Sequence, residues 1–160
     1  MAEYSANAVQ IVNPGESIIF TTTVQPCRRN FVRHRDDSGN FLLSGWTPNQ
    51  YGCGCGFNPY IRGRDANYLI DFGANISIPE DGTVEEISVA ISLDGSTLPA
   101  STMRVTPAAV DEYFNVSRAI NVDIWYGCCE TITVRNTSTQ PIQVENANII
   151  FNRSDLSVAS

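Results

Sequence analysis

Ile87-Ser88-Val89-Ala90-Ile91-Ser92-Leu93-Asp94-Gly95-Ser96 is the stretch whose reading decides the fold. Its odd positions are large and apolar and its even positions small, the period-two pattern of a strand with one buried face. Asp94-Gly95 then favours a tight reversal, because both residues tolerate positive φ at the centre of a two-residue hairpin turn. Further along, Thr131-Ile132-Thr133-Val134-Arg135 and Ile142-Gln143-Val144 repeat the alternation on either side of a polar turn at 136–141. Val, Ile, Thr, Phe and Tyr runs closed by Gly, Pro, Asn or Asp predict strands at about 8–12, 17–24, 30–35, 40–45, 67–78, 84–94, 101–106, 113–125, 130–136 and 141–152. Asp81-Gly82 reads as a second turn of the Asp-Gly kind. The one helical candidate is 107–113, with Thr106 as cap and Pro107 in the first turn. Short strands at this spacing imply an antiparallel sandwich, jelly roll or barrel and exclude a parallel α/β sheet.

The chain has 160 residues, 42% of them apolar and 17% charged, enough for one hydrophobic core without help from disulfides or metals. There is no internal repeat and no Ser/Gly linker, so residues 1–160 are expected to form a single domain. Residues 1–7 and 154–160 are polar enough for tails, and about 1–15 is expected to be an N-terminal arm. No apolar run reaches the roughly 18–20 residues of a membrane span, and no basic stretch followed by an apolar one marks a secretory signal at the start. Neither a membrane nor an exported precursor is expected.

Net charge is −7, and all ten basic residues are arginine. The charge is unevenly spread: 28–64 carries +4, 65–160 carries −9 and 1–27 carries −2. An acidic body repels nucleic-acid phosphates over most of its surface, so no nucleic-acid partner is expected. Arg28, Arg29, Arg33, Arg35, Arg62 and Arg64 make 28–64 the one candidate anion site. Arginine suits buried and interfacial ion pairs, so these residues are read as contacts to acids of the same fold, a neighbouring subunit or another partner.

Enzymatic motifs mostly fail. His34 is the only histidine, which excludes multi-His metal sites, and no nucleophile stands near it in the sequence; it is read as a surface or interface residue. The acids are scattered, with no pair spaced for general acid–base work. Gly52-Cys53-Gly54-Cys55-Gly56 lacks the Lys-Ser/Thr ending of a phosphate cradle. No enzyme, cofactor or metal is expected. Cys27, Cys53, Cys55, Cys128 and Cys129 have poor zinc spacing. Two readings stay open: disulfides linking the 53/55 loop to 128/129 with an odd thiol left over, or reduced cysteines buried as small hydrophobes. Asn75, Asn115, Asn136 and Asn152 each begin an Asn-x-Ser triplet, a glycan acceptor only in a secreted eukaryotic chain. Trp46, Tyr51, Tyr60, Trp125 and Tyr126 are candidates for an exposed aromatic platform for sugar, or for core and subunit contacts.

The cadence of 87–102, of Thr131-Ile132-Thr133-Val134-Arg135-Asn136-Thr137-Ser138 and of 142–149 resembles the trimeric tumour-necrosis-factor-like jelly rolls, particularly the C-terminal domains of bacterial collagen-like spore-surface proteins. Residues 66–152 are also similar to small prophage-encoded proteins of Gram-positive bacteria, on the motifs VTPAAVDEYFNVSRA and GCCETITVRNTSTQPIQVENANIIF. The resemblance implies an all-β antiparallel sandwich of jelly-roll topology that packs as a homotrimer, and it brings no catalytic residue. No Gly-x-y stalk precedes the domain, and the Arg/Cys/Gly-rich 27–64 stands where the family has early strands. The prophage likeness therefore implies a virion component on the particle exterior, a capsid decoration or head-fibre protein, with the major capsid protein as partner and the six arginines at a subunit or capsid contact. The alternative it leaves is a carbohydrate-binding or adhesion module at a spore or cell surface, with a host-surface glycan as partner.

Overall fold

Period-two burial builds two antiparallel sheets in the computed structural model, which describes residues 1–27, 30–45, 66–125 and 129–154. The strands are β1 (Ala2–Ala6), β2 (Gln10–Val12), β3 (Thr22–Gln25), β4 (Val32–His34), β5 (Phe41–Leu43), β6 (Ala66–Ser77), β7 (Ile87–Leu93), β8 (Ser96–Thr97), β9 (Met103–Val105), β10 (Phe114–Ile124), β11 (Glu130–Asn136) and β12 (Ile142–Arg153). One sheet runs β10-β6-β12-β1-β3, with β2 also beside β12; the other runs β4-β5-β11-β7-β8, with β9 also beside β7. From β6 to β12 the long strands alternate between the two sheets, the jelly-roll path. Each expected strand from 8–12 to 141–152 has a counterpart with ends displaced by up to five residues, β1 and β8 are additional, and the fold class follows as expected.

Strand β12 carries the main irregularity. Ile142 and Val144 point into the core, and so do Ala147, Ile149 and Phe151, so the inward parity changes from even to odd within one strand. Its partner β6 keeps Ala66, Tyr68, Ile70, Phe72, Ala74 and Ile76 inward with no change. A bulge between Glu145 and Asn148 absorbs the extra residue, with Asn146 at φ 50°. On its other side β12 pairs with β2 before the bulge and with β1 after it.

Two turns explain two Asp-Gly pairs differently. Asp94 and Gly95 have φ 48° and 86°, and Leu93 pairs with Ser96 around them, so this is the two-residue turn read from the sequence. The second turn spans 79–82, with Gly82 N donating to Pro79 O at 2.8 Å. Gly82 is needed there for close approach, since an added Cβ would lie 2.5 Å from Ile78 Cγ2.

Two expectations are corrected. Residues 1–15 are not an arm: β1 lies inside the first sheet between β12 and β3, with Ala2, Tyr4 and Ala6 in the core, and β2 pairs with β12. Small residues make that strand look polar in sequence, although Ala2 and Ala6 fit where β1 passes beneath bulkier neighbours. Residues 107–113 form no helix, because Asp111 adopts φ 57° and Glu112 Oε2 takes the amides of Ala108 and Ala109 at 3.2 Å. A 3₁₀ turn occurs instead at Pro99–Ser101, where Ser101 Oγ donates to Leu98 O at 2.7 Å and accepts from Ile91 N at 2.8 Å. His34, read as a surface or interface residue, is half-buried, with its ring stacked on Phe41 at 4.7 Å between centroids.

Phe41 is the hub of the core at this end, with Tyr4 at 5.0 Å, Phe20 at 5.2 Å and Phe151 at 4.9 Å between ring centroids. At the far corner Asn136, 1% exposed, donates to Val12 O and Gln140 O at 2.9 Å each and accepts from Ser138 N at 2.8 Å. Replacing Asn136 by Ala strands these groups and is expected to cost about 1–3 kcal/mol in urea unfolding. At the bulge, Asn146→Gly should unfold at the same urea concentration as the parent or higher. Asn146→Val should lose about 1–2 kcal/mol, since a β-branched residue resists the left-handed region.

A candidate docking site at the edge of the second sheet

Strand β4 is the end strand of its sheet and has β5 as its partner among the described residues. Its register places Arg33 opposite Leu42, and β5 in turn places Leu42 opposite Thr131 of β11. Because alternate residues share a face, Val32, Phe41, Leu43 and Ile132 enter the core while Arg33, Leu42 and Thr131 form an outward row. Arg35 continues that face past the strand end, where its N donates to Asn40 O at 3.4 Å. Asp36 and Asp37 make the tight turn that follows, with Asp37 at φ 53° and Ser38 Oγ donating to Arg35 O at 2.6 Å.

Hollows lie on both sides of β4. One, of about 510 Å³, is lined by Arg33, His34, Arg35, Asn40, Leu42 and Thr131 on the outward face. The other, of about 290 Å³, lies towards β3 and involves Tyr4, Thr23, Cys27, Val32 and His34. Arg33 and His34 line both; His34 Nε2 donates to Ser38 O at 2.9 Å and the ring packs against Tyr4 at 5.0 Å. Arg33 and Arg35 are exposed, and neither has a carboxylate within ion-pair distance among the described residues.

The outward rows of the two sheets hold different charged residues. Across the first sheet the register aligns Ala119, Asp71, Ile150 and Glu3 in one row, Asp123 with Asn67 in another, and Asn115, Asn75 and Glu145 in a third. Those rows hold four carboxylates and no arginine. The outward rows of the second sheet hold Arg33, Arg104 and Arg135 among hydroxyls, Leu42 and Ala90, with Arg35 past the end of β4 and Asp94 on the neighbouring turn, its Oδ1 accepting from Thr131 N at 2.7 Å. Arg104 meets Glu86 at 3.9 Å beyond the strand end, and Arg135 Nε lies against Thr133 Oγ1 at 3.3 Å.

Of the residues singled out in the sequence, the structure brings Arg33, Arg35 and Cys27 around β4. Arg28, Arg29, Arg62, Arg64, Trp46, Tyr51, Tyr60, Tyr126, Cys53, Cys55 and Cys128 lie outside the described residues. Cys27 is a free, half-buried thiol, whereas Cys129 is disulfide-bonded. Trp125 is 77% exposed at the end of β10. Among the described residues no three or more His, Cys, Asp or Glu side chains are grouped to hold a metal, and no helix is long and apolar enough to cross a membrane. Of the Asn-x-Ser triplets, Asn136 is buried in its corner and Asn115 Nδ2 pairs across strands with Asn75 Oδ1 at 3.2 Å. Asn40, Leu42 and Thr131 were missed by sequence reasoning. The one local signal was Leu42, the outward member of Phe41-Leu42-Leu43 and 39% exposed.

No family model matches the chain, and no curated protein matches it in sequence. Solved structures match in fold. The globular domain of a zebrafish complement 1qA protein superposes with TM-score 0.56 at 8% identity, covering 93% of this chain and 94% of that one. The Eiger TNF of S. frugiperda superposes with TM-score 0.63 at 11% identity, covering 99% and 95%. The fold is a jelly roll of the TNF and C1q type.

Tyr4, between the two sheets beside this edge, has its pKa raised above the ordinary tyrosine value, first by burial and second by the charge a Cys27 thiolate would place near it. A raised folded-state pKa favours the neutral phenol, so its contribution to stability is complete below the unfolded value of about 10 and is lost as pH rises through the folded value. Stability measured by denaturant from about pH 9 to 11 should fall more steeply for the parent than for Tyr4→Phe. Cys27→Ser should recover part of that difference.

Proposed function

We propose that the chain is a self-associating structural protein, a trimeric jelly roll on the outside of a phage particle acting as a capsid decoration or head-fibre component. The arginines of 28–64 are its contact to a neighbouring subunit or to an acidic capsid surface. The observation that carries this reading is the pair Arg33 and Arg35, exposed at the edge strand and without a carboxylate within ion-pair distance among the described residues. Such arginines add little to folding, since even a formed surface pair contributes only about 0–1 kcal/mol. Their natural use is recognition, where complementary charge sets partner and approach. Self-association is supported by the jelly-roll fold of the TNF and C1q type, whereas a particle exterior rests on the resemblance of 66–152 read from the sequence alone.

A second reading, an adhesion module for carbohydrate, is favoured by Trp125, whose indole is 77% exposed at a strand end. Glycan binding abolished by Trp125→Ala in a stable variant would support it.

Light scattering of the purified protein should give three times the chain mass with and without reductant. A monomer in both conditions overturns self-association. Particles purified from an induced host strain should contain the chain. Replacing Arg28, Arg29, Arg33, Arg35, Arg62 and Arg64 together by Ala should deplete it from them at least tenfold while its thermal unfolding stays unchanged. Undiminished incorporation overturns the arginine contact.

A further inference from the structure

We infer that β4 receives an extended acidic segment of the partner as an added strand, with carboxylates at every second residue. The inference rests on the reading of Arg33 and Arg35 as contact residues and specifies the chemistry of what they contact. Ser44 N donates to Phe31 O at 2.9 Å and Arg35 N to Asn40 O at 3.4 Å, and Arg33 lies opposite Leu42 between these bonds. In an antiparallel ladder such alternation turns the backbone groups of 31, 33 and 35 towards β5 and those of Val32 and His34 away from it. Those groups are directed to the side on which the hollow of about 290 Å³ opens between β4 and Thr23, Pro26 and Cys27.

An incoming strand on that side has its alternate side chains directly opposite those of β4. Arg33 and Arg35 lie two residues apart on one face, about 7 Å along the strand, which is the repeat of outward residues in any extended peptide. Carboxylates at i and i+2 therefore face both guanidinium groups together, whereas two adjacent carboxylates put one on each face of the sheet. Main-chain bonds supply affinity and the paired charges supply register, the division of labour in strand addition. The larger hollow, floored by Leu42 and edged by Asn40 and Thr131, leaves room for the outward side chains to extend over the sheet.

The test uses the full chain and labelled eight-residue peptides. In one, Glu alternates with Thr; in another the same residues are in two blocks. Fluorescence anisotropy at low salt should show the alternating peptide binding at least threefold more tightly than the block peptide. Arg33→Ala and Arg35→Ala should each weaken it about threefold, and Arg104→Ala on the same face should not. Hydrogen exchange should slow at the amides of Val32 and His34 when the alternating peptide is bound. Equal binding of the two peptides, or unchanged exchange at those amides, overturns strand addition even if the six-arginine variant is lost from particles. Tighter binding of an acidic polysaccharide than of the alternating peptide also overturns it. If the parent prefers the alternating peptide and the Arg33 and Arg35 variants lose that preference yet are still incorporated into particles, the particle contact is removed and the strand-binding edge stands.

Discussion

Strand β12 has to serve two sets of neighbours at once, and the parity change that permits this holds the first sheet together. On one side it follows β6 for most of its length; on the other it meets β2 first and β1 after the bulge. A one-residue slip in a strand exchanges its buried face for its exposed one. Without the extra residue at Asn146, Ala147, Ile149 and Phe151 would face solvent while Ile142 and Val144 stayed in the core. Burying a side chain such as Ile or Phe contributes about 1.5–3 kcal/mol, well above the cost of about 1–2 kcal/mol for a left-handed residue that is not glycine. Asn, which tolerates that region better than most, reduces the cost further. The bulge is thus the smaller of two penalties, and the position of β1 depends on it.

With the inward positions committed to packing, charge is confined to the outward rows and to the turns. Few of the charges there contribute much to folding. Glu3 accepts from Asn148 at 2.8 Å and Asp123 from Asn67 at 2.7 Å, and the described ion pair is the exposed Arg104–Glu86 contact at 3.9 Å. Exposed pairs are worth little to stability, so the distribution of sign is free to follow the needs of binding. Asp71, Glu3, Asp123 and Glu145 stand in outward rows of the first sheet and Arg33, Arg104 and Arg135 in outward rows of the second, so the two faces offer different charged groups from one core.

Much of this was legible in the chain. The alternation of 87–93, the Asp94-Gly95 reversal and the repeated strands fixed an antiparallel sandwich from local chemistry alone. The failures have physical causes. β1 is built of Ala2, Tyr4 and Ala6, whose inward positions carry too little apolar weight to be read without the neighbours that cover them. Residues 107–113 had a helix-like opening, but a segment that short does not recover the cost of nucleation, and Glu112 offered its amides another partner. The edge site was half visible: the arginine excess of 28–64 pointed to Arg33 and Arg35. Leu42, Asn40 and Thr131 join them only through register between strands distant in sequence, which no local pattern encodes.

The brevity of β4 has a reason. A long, flat, uncharged edge would pair with any exposed strand, and short edges bearing charge are how sheets avoid this. Three residues held by β5 and by the His34–Phe41 stack at 4.7 Å are enough to fix its direction without extending the template. Arg33 and Arg35 add a selective element, because a second copy of the same edge would set arginine against arginine, and like charges directly opposite one another are destabilising. Repulsion of the wrong partner contributes to specificity as much as attraction of the right one. The same two side chains therefore guard the edge against its own kind and leave it open to an acidic strand.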